Sequence, residues 1–281
     1  MTQAKFKNKL RDMLINGPAS NIARILFNCL ISAELTIQRG LDSSQIPNEP
    51  LPPRYITAII KTFNRTRDLT RLVKSIERVQ PDLAVIIADD SRKPAHFPGI
   101  TTLVLPFNSG VSAGRNAALD MVPTPFVLIL DDDFVFYHRT RLSMALRLMQ
   151  QTTQIDIMGG KVINLPEYRA NNYLDTVLFP TSSASVFPKG GLLAGLPVYD
   201  KVANFFIART DSIRKVRWDP ALKFVDHADF FTRAKGILTT VYNDQFRILH
   251  AKNRFDRLEP ERVQNLADAR HILLKRYYDK S

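Results

Sequence analysis

Three consecutive aspartates, Asp131, Asp132 and Asp133, directly follow an apolar run at residues 126–130. Adjacent carboxylates at the end of a buried strand repel one another and lose hydration, so they tend to take up protons. A divalent cation would remove this penalty, and it would bridge a diphosphate and neutralise its charge as it leaves. The alternative is an exposed acidic turn that caps a helix. Because the preceding strand is so apolar, the pattern favours a metal–diphosphate site.

A second acidic pair, Asp89 and Asp90, follows another apolar run at residues 83–88. Ligands of open parallel sheets bind at the carboxyl ends of the strands, where both acidic clusters would lie. The two carboxylates could accept hydrogen bonds from a base or from ribose hydroxyls. They could equally do no more than cap the turn that follows.

Residues 108–116 would open a helix after a glycine-containing turn. Such a helix start presents backbone N–H groups, here together with Arg115, to an anionic nucleotide. Gly110 and Gly114 in this segment fit a nucleotide-facing turn, but they fit close packing of the helix as well. The segment is therefore a weak indication of a nucleotide site when it is taken alone.

Strand-like and helix-like patterns alternate from residue 55 onward, which indicates βαβ units. The predicted strands cover residues 55–61, 83–88, 102–105, 126–130, 156–158, 201–208, 238–242 and 246–249. The predicted helices cover residues 68–79, 111–121, 139–150 and 259–278. The fold class is therefore α/β, Rossmann-like, with a mainly parallel, twisted sheet flanked by helices. The long connection at residues 164–199 is typical of a functional loop.

Residues 1–53 differ from the rest of the chain. Basic and apolar residues interleave at residues 5–14, a helical pattern covers residues 20–38, and a proline-rich linker follows at residues 42–53. We predict a helical N-terminal appendage that either packs on the main domain or attaches to a membrane surface. The main domain would span residues 54–281. It would contain a nucleotide-binding half (54–160), an acceptor and catalytic half (161–258) and a closing helix (259–281).

The net charge of +12 indicates an anionic partner or a solvated basic surface. No nucleic-acid recognition motif accompanies the scattered basic residues, so an anionic membrane surface or a phosphorylated substrate is the better expectation. Cys29 is the single cysteine, which is typical of a reducing compartment. No apolar stretch is long enough to span a bilayer. We expect a bacterial cytoplasmic enzyme that works at or near the inner membrane.

Residues 57–254 resemble the catalytic domain of GT-A glycosyltransferases, and most closely the β-1,4-N-acetylgalactosaminyltransferases. The matching segments are residues 61–65 (KTFNR), 85–91 (VIIADDS), 114–116 (GRN), 127–136 (with its DDDFVF core) and 204–210 (NFFIART). This resemblance implies an inverting enzyme that transfers a hexose or N-acetylhexosamine, with GalNAc the best candidate, from a UDP-sugar to a glycan hydroxyl. Its acceptor would belong to a surface glycan, a polysaccharide or a lipid-linked glycan.

The resemblance also implies the residues of the donor site. Uracil and ribose would be held by Thr62, Arg65, Asp89 and Asp90, and the helix that flanks the nucleotide would contribute Gly114, Arg115 and Asn116. Asp131 and Asp133 occupy the two ends of an Asp-x-Asp motif. Asp133 would be the more direct metal ligand, Asp131 would lie nearer the donor, and Asp132 would be a further donor-site residue or only structural. His250 would complete the shell of Mn²⁺, or of Mg²⁺, although a core histidine fits the spacing as well.

A carboxylate should act as the general base that deprotonates the acceptor hydroxyl. The resemblance assigns this role to Asp229, where related enzymes have a Glu, with Asp226 as the fallback. Both acids could instead simply decorate a helix N-terminus. The acceptor or lid region would include Lys189, Tyr199, Lys201, Asn204 and His227.

Two other functions remain open at this stage. A sugar-phosphate nucleotidyltransferase would also use a nucleotide-binding α/β fold and a metal, but residues 61–65 lack its glycine-rich phosphate loop. A non-enzymatic, basic polyanion-binding protein would account for the charge. A dehydrogenase is excluded because no strand is followed by Gly-x-Gly-x-x-Gly.

Overall fold

The computed structural model describes residues 17, 20–45, 54–256 and 259–279. Within these residues the strands are β1 (Ile56–Thr62), β2 (Ala84–Asp89), β3 (Thr101–Val104), β4 (Phe126–Asp131), β5 (Phe134–Val135), β6 (Ile157–Asn164), β7 (Arg169–Ala170), β8 (Leu192–Leu193), β9 (Leu196–Pro197), β10 (Phe206–Arg209) and β11 (Thr240–His250). The helices are α1 (Ser20–Gln45), α2 (Thr66–Val79), α3 (Val111–Asp120), α4 (Leu142–Gln151), α5 (Thr210–Val216), α6 (His227–Ala234) and α7 (Pro260–Tyr277).

The main sheet has the strand order β3-β2-β1-β4-β10-β6-β11-β5, and β7 pairs with β6 at one side. Strands β3, β2, β1 and β4 are parallel neighbours, so their carboxyl ends meet at one edge. Strand β10 is antiparallel to both β4 and β6, whereas β11 returns parallel to β6. The predicted α/β class with a mainly parallel sheet is therefore confirmed.

Helices cover both faces of this sheet, because alternate residues of each strand point to opposite sides. Ala58 and Ile60 of β1 belong to one apolar cluster with residues of α2 and α4. Ile59 faces the other side, where α3, α5 and α6 supply the cluster with residues such as Leu119 and Phe230. The two cores hold the strand ends, and the polar residues that follow them, in fixed positions.

Helix α1 packs against the sheet domain through one of its faces. Phe27, Ile31 and Leu35 are buried against residues of β5, β6 and β11. Asp42 is buried as well, and it pairs with Arg78 at 3.0 Å. The packing role predicted for the appendage is thus present. Residues 5–14 and 46–53, with the basic amphipathic pattern and most of the linker, lie outside the described residues.

Several element boundaries differ from the prediction. Helix α1 continues to Gln45, seven residues beyond the predicted end, so Asp42 is helical instead of part of a linker. The strand predicted at residues 201–208 covers only Phe206–Arg209, and the two strands predicted at 238–249 form one strand, β11, with an irregularity between Asn243 and Arg247. The connection at residues 164–199 contains β7 and the β8–β9 hairpin.

None of the helices in the described ranges is long and apolar enough to cross a membrane.

Candidate functional site

A cavity of about 880 Å³ opens at the carboxyl ends of β1, β2 and β4. Its volume falls within the range of small-molecule sites. The predicted site residues that line it are Thr62, Arg65, Asp90, Arg115, Asp131, Asp132, Asp133, Asn204, Asp226, His227 and His250. The predicted site residues outside its lining are Asp89, Gly114, Asn116, Asp229, Lys189, Tyr199 and Lys201.

The middle aspartate of the triplet is held by the segment that follows β1. Asp132 Oδ2 accepts a hydrogen bond from Thr62 Oγ1 at 2.8 Å, and Arg65 Nη1 lies 2.6 Å from Oδ1. Burial raises the pKa of Asp132 to about 6, although Arg65 opposes the shift. Both of its oxygens are engaged by protein groups. Asp132 therefore orders the turn, and Thr62 and Arg65 act on the site through it.

The third aspartate lies beside His250 of β11, the strand that pairs with β5. Asp133 Oδ1 lies 3.2 Å from His250 Nε2, while its Oδ2 accepts from Arg65 Nη1 at 3.0 Å. The pairing of β5 with β11 places His250 opposite Phe134, and Ala251 N donates to the Asp133 carbonyl. Burial disfavours ionisation of Asp133, but His250 and Arg65 outweigh it and hold its pKa well below the ordinary value.

His250 is oriented by Asn164, its register partner on β6. The Nδ1 of His250 lies 2.8 Å from the Asn164 amide oxygen, so Nδ1–H donates there and Nε2 faces Asp133. Burial lowers the pKa of His250, but the Asp133 carboxylate more than compensates and raises it. Within the described ranges, no group of three or more His, Cys, Asp or Glu side chains is arranged to hold a metal ion. Two convergent donors, one carboxylate and one oriented imidazole, fit a cation whose remaining ligands come from substrate and water.

The first aspartate is linked to Asp226 by one buried arginine. Arg115 Nη2 lies 2.8 Å from Asp131 Oδ1, and its Nη1 lies 2.8 Å from Asp226 Oδ2. Asn204 Nδ2 contacts the other Asp131 oxygen at 3.3 Å. Asp131 remains 36% exposed to the cavity. Arg115 therefore fixes the relative position of two carboxylates that lie on different elements.

Asp226 and His227 bring two polar groups of different character to the cavity wall at the start of α6. Burial raises the pKa of Asp226, with Arg115 opposing the shift. Burial lowers the pKa of His227 to about 3, so its imidazole is neutral. Its Nε2 is buried without a hydrogen-bond partner in the described structure. Asp226 can accept a proton, whereas the unpaired Nε2 of His227 is closed off from solvent.

The predicted base Asp229 is placed elsewhere by the structure. It is fully buried, its Oδ2 accepts from Arg233 Nε at 2.8 Å, and its Oδ1 accepts from Arg276 Nη1 at 2.6 Å and Tyr277 OH at 2.7 Å. No oxygen of this carboxylate faces the cavity. We therefore correct the placement: Asp229 fastens helix α7, and of the two carboxylates only the fallback Asp226 lines the cavity.

The two aspartates after β2, Asp89 and Asp90, also make different contacts. Both oxygens of Asp89 accept backbone N–H groups, from Ser91 and Ala95, at 2.9 Å, so Asp89 shapes the turn. Asp90 lines the cavity, where it pairs with Lys61 and accepts from Gly110 N at 2.8 Å. The donor-site prediction is thus compatible with Asp90 and not with Asp89.

Gly114 serves the site by leaving room for Lys61. A Cβ at this position would lie 2.2 Å from Lys61 Cδ, so a larger residue would force the lysine side chain to shift from its course to Asp90. Asn116 exchanges two hydrogen bonds with the backbone of Trp218, which anchors the segment before α6. Both residues are structural and do not reach the cavity.

The predicted acceptor residues are scattered. Lys189 bonds the Thr176 carbonyl at the surface, and Tyr199 stacks on Tyr242 with ring centroids 4.9 Å apart. Lys201 lies over the ring of Tyr173 at 6.0 Å. Only Asn204 and His227 of this set reach the cavity.

Sequence reasoning missed cavity residues that lie close to the predicted ones. Lys61 is the last interior residue of β1, and its place in the matched KTFNR segment was a usable signal. Arg262 reaches the cavity from α7, which no local pattern indicates.

Comparisons with known proteins identify the family of the chain. The family model described as Glycosyl transferase family 2 matches residues 57–217, more than half of the chain. Beta-1,4 N-acetylgalactosaminyltransferase 1 of Rattus norvegicus is 40% identical over 195 residues, which are 65% of this chain and 36% of the relative. Beta-1,4 N-acetylgalactosaminyltransferase 2 of Mus musculus is 34% identical over 204 residues, 68% of this chain and 39% of the relative. The chain thus spans a little over a third of these curated relatives.

A solved structure shares the fold at low sequence identity. S. aureus TarS 1-349 in complex with UDP-GlcNAc superposes with a TM-score of 0.57 and 14% identity, covering 80% of this chain and 68% of TarS 1-349. The same protein in complex with UDP gives a TM-score of 0.54. The family match favours glycosyl transfer over the nucleotidyl transfer that the sequence left open. The chain has the GT-A fold and belongs to glycosyl transferase family 2.

Proposed function

We propose that this protein is an inverting glycosyltransferase that moves a sugar from a UDP-sugar to a glycan hydroxyl. The observation that carries the proposal is the link Asp131–Arg115–Asp226, which lies in one cavity with the Asp133–His250 pair. Arg115 thereby joins Asp131, which would face the donor sugar, to Asp226, which would face the acceptor hydroxyl. The names of the curated relatives support N-acetylgalactosamine as the sugar and a β-1,4 linkage as the product.

The donor would bind in the part of the cavity between Asp90 and the turn that follows β1. Asp90 and the backbone after β1 would contact uracil and ribose, while Arg115 keeps Asp131 directed towards the sugar. Asp133 and His250, with Asp131 nearby, would hold Mn²⁺ or Mg²⁺. When bound, such a cation neutralises the charge that develops on a diphosphate leaving group.

Asp226 would be the general base. Its Oδ2 is held by Arg115, which leaves Oδ1 to accept the proton of an acceptor hydroxyl. The deprotonated oxygen bonds to the anomeric carbon on the face opposite the departing UDP, so an α-linked donor gives a β-linked product. The neutral His227 and Asn204 would line the same pocket.

A peripheral position on an anionic membrane is the second part of the proposal. The face of α1 that does not pack on the domain carries exposed apolar residues at helical spacing, among them Ile22, Leu26, Leu30 and Ile37. Arg24, on another side of the same helix, lines the cavity, so α1 adjoins the site. Such a stripe beside basic residues fits a lipid surface that presents a lipid-linked acceptor. The bacterial origin and the inner membrane remain predictions.

Vesicle binding tests this second part. The wild type should sediment with phosphatidylglycerol-containing vesicles, and the double variant Leu26→Glu, Leu30→Glu should not. Val104→Glu alters an exposed apolar residue on β3 and should sediment like the wild type. Equal sedimentation of all three proteins would contradict the membrane role.

The reaction itself is tested by its products. The protein with UDP-GalNAc and Mn²⁺ should release UDP. With added pyrophosphate, a nucleotidyltransferase would instead form UTP and GalNAc 1-phosphate, and a polyanion-binding protein would form neither. Formation of UTP without UDP would overturn the proposal.

A further inference from the structure

Helix α7 borders the cavity near Asn64 and Asn108, although it lies outside residues 57–217, which match the family model. Near its start, Glu259 accepts from Asn64 Nδ2 at 3.2 Å, and Glu261 pairs with Arg92 at 2.6 Å. One turn further, Asn265 Nδ2 donates to Asn108 Oδ1 at 2.7 Å. The start and first half of α7 therefore contact the turns that follow β1, β2 and β3.

The second half of α7 is fastened to the catalytic domain. Arg276 and Tyr277 both bond the buried carboxylate of Asp229, and the Tyr277 ring stacks on Phe179 with centroids 4.5 Å apart. Ala269 and Leu273 pack against Leu222. A helix anchored in this way holds its N-terminal half in a defined position over the cavity.

Arg262 is the residue that α7 presents to the cavity. Its guanidinium lies 5.8 Å from the ring centroid of Phe63 and 5.9 Å from that of Phe224. Two such rings restrain a guanidinium without neutralising it. Within the described residues, the Arg262 guanidinium makes no ion pair and no hydrogen bond. Arg262 is thus a restrained cation that is not committed to a hydrogen-bonded carboxylate.

The other restrained cations of the cavity are already committed to carboxylates. Lys61 pairs with Asp90, Arg65 with Asp132 and Asp133, and Arg115 with Asp131 and Asp226. Lys223 and Lys252 also line the cavity, but both are exposed and remain solvated.

Arg262 acts electrostatically on the same part of the cavity. Burial dominates the lowered pKa of Lys61 and the raised pKa of Asp132, and the charge of Arg262 lowers both values. The Arg262 side chain therefore lies near the end of β1 and the aspartate triplet.

We propose that Arg262 binds the diphosphate of the nucleotide donor, and that α7 serves as the arm that positions it. The inference rests on the proposed function. A guanidinium matches phosphate oxygens in a bidentate, charge-assisted arrangement, which makes it a better ligand for a diphosphate than for a neutral base. The donor would thus be held between the aspartate–histidine pair on the sheet and a cation from the closing helix.

Calorimetric titration of wild type and Arg262→Gln with UDP, UMP and uridine in the presence of Mg²⁺ tests this proposal. The variant should bind UDP about 10- to 100-fold more weakly, as expected for a lost charged hydrogen bond. It should bind UMP with a smaller loss and uridine within about twofold of wild type. Arg270→Gln changes an exposed arginine of the same helix by the same charge, and it should bind UDP like the wild type.

Each other outcome has a distinct meaning. Unchanged UDP binding by Arg262→Gln, or equal losses for UDP and uridine, would overturn the role in diphosphate binding while the proposed function stands. Failure of the wild type itself to bind UDP would contradict the proposed function. If circular dichroism shows that Arg262→Gln does not fold, Arg262→Lys decides: it should lose UDP affinity at least about threefold relative to uridine, and no loss would overturn the proposal.

Discussion

Arg276 Nη1 lies 2.6 Å from Oδ1 of Asp229, although 47 residues separate the two in the sequence. This contact ties the last turn of α7 to the buried side of α6. It explains why Asp229, three residues after Asp226, takes no part in the chemistry we propose. It also links the site to a helix that lies outside the family match.

Asp229→Asn should reduce the stability of the protein. Asp229→Asn leaves Arg233 and Arg276 without their counter-ion and replaces one of the two acceptor oxygens by an NH2 group, which should lower the free energy of unfolding by about 3 kcal/mol. Urea unfolding followed by circular dichroism measures this change.

Asp211→Asn is the matched control, because Asp211 is almost fully exposed and its pair with Arg214 is 3.5 Å long. It should change the stability by less than about 0.5 kcal/mol. A fully stable Asp229→Asn variant that had lost only its transfer activity would return the base to Asp229.

The aspartate triplet could be predicted from the local sequence, whereas the identity of the base could not. The triplet was predictable because the apolar run and the acids that end it are contiguous, and such a run forms a central strand in almost any α/β context. Asp226 and Asp229 both stand at the start of one helix, and the sequence offers no local difference between them. Their roles diverge because Arg115 reaches one and Arg276 the other, and these contacts depend on tertiary structure.

Other differences between the prediction and the structure also depend on tertiary structure. The strand predicted at residues 201–208 begins only at Phe206, and the side chains of Val202 and Phe205, which precede it, lie over Gly159 and Gly160 of β6. Lys189 and Tyr199 stand in a long connection whose course no periodicity predicts. The contribution of Arg262 requires knowing where α7 docks.

Asp226→Asn should abolish transfer while leaving the donor bound. An amide cannot accept the acceptor proton, so kcat should fall about 10²- to 10⁴-fold. UDP affinity, measured by calorimetry, should stay within about threefold of wild type because an amide oxygen can still accept from Arg115. Asp244→Asn, at an exposed aspartate of β11, should retain full activity. Undiminished transfer by Asp226→Asn would remove Asp226 from the mechanism.

The pH dependence of the reaction should report the environment of Asp226. Burial raises the pKa of this carboxyl, and a base must be deprotonated to work, so the rate should fall as the pH decreases through that raised value. The acid limb of kcat/KM should therefore lie above the ordinary aspartate pKa of about 4. An acid limb at or below that value would show that no carboxylate with a raised pKa limits the rate.

Metal affinity should weaken as the pH falls, because a cation must displace the proton between His250 Nε2 and Asp133. The pKa of His250 is raised above its ordinary value of 6.5 by the Asp133 carboxylate, against the effect of burial. Below that raised value, Mn²⁺ affinity should drop about tenfold for each pH unit. Titration with Mn²⁺ in the presence of UDP measures it.

His250→Gln removes the proton competition and should give weak binding with a flatter pH profile. Asp133→Ala should eliminate Mn²⁺ binding and UDP-GalNAc turnover together. Full turnover by Asp133→Ala would contradict the metal site.

Binding of uridine nucleotides tests the central claim most directly. In a thermal-shift panel with Mn²⁺, UDP, UDP-GalNAc, UDP-GlcNAc, UDP-Gal and UDP-Glc should raise the melting temperature, whereas ADP and GDP should not. For a ligand at 100 times its Kd the stabilisation is about 2.7 kcal/mol, which is readily measured. The account predicts stabilisation by UDP and by at least one UDP-sugar. No stabilisation by any uridine nucleotide would contradict it.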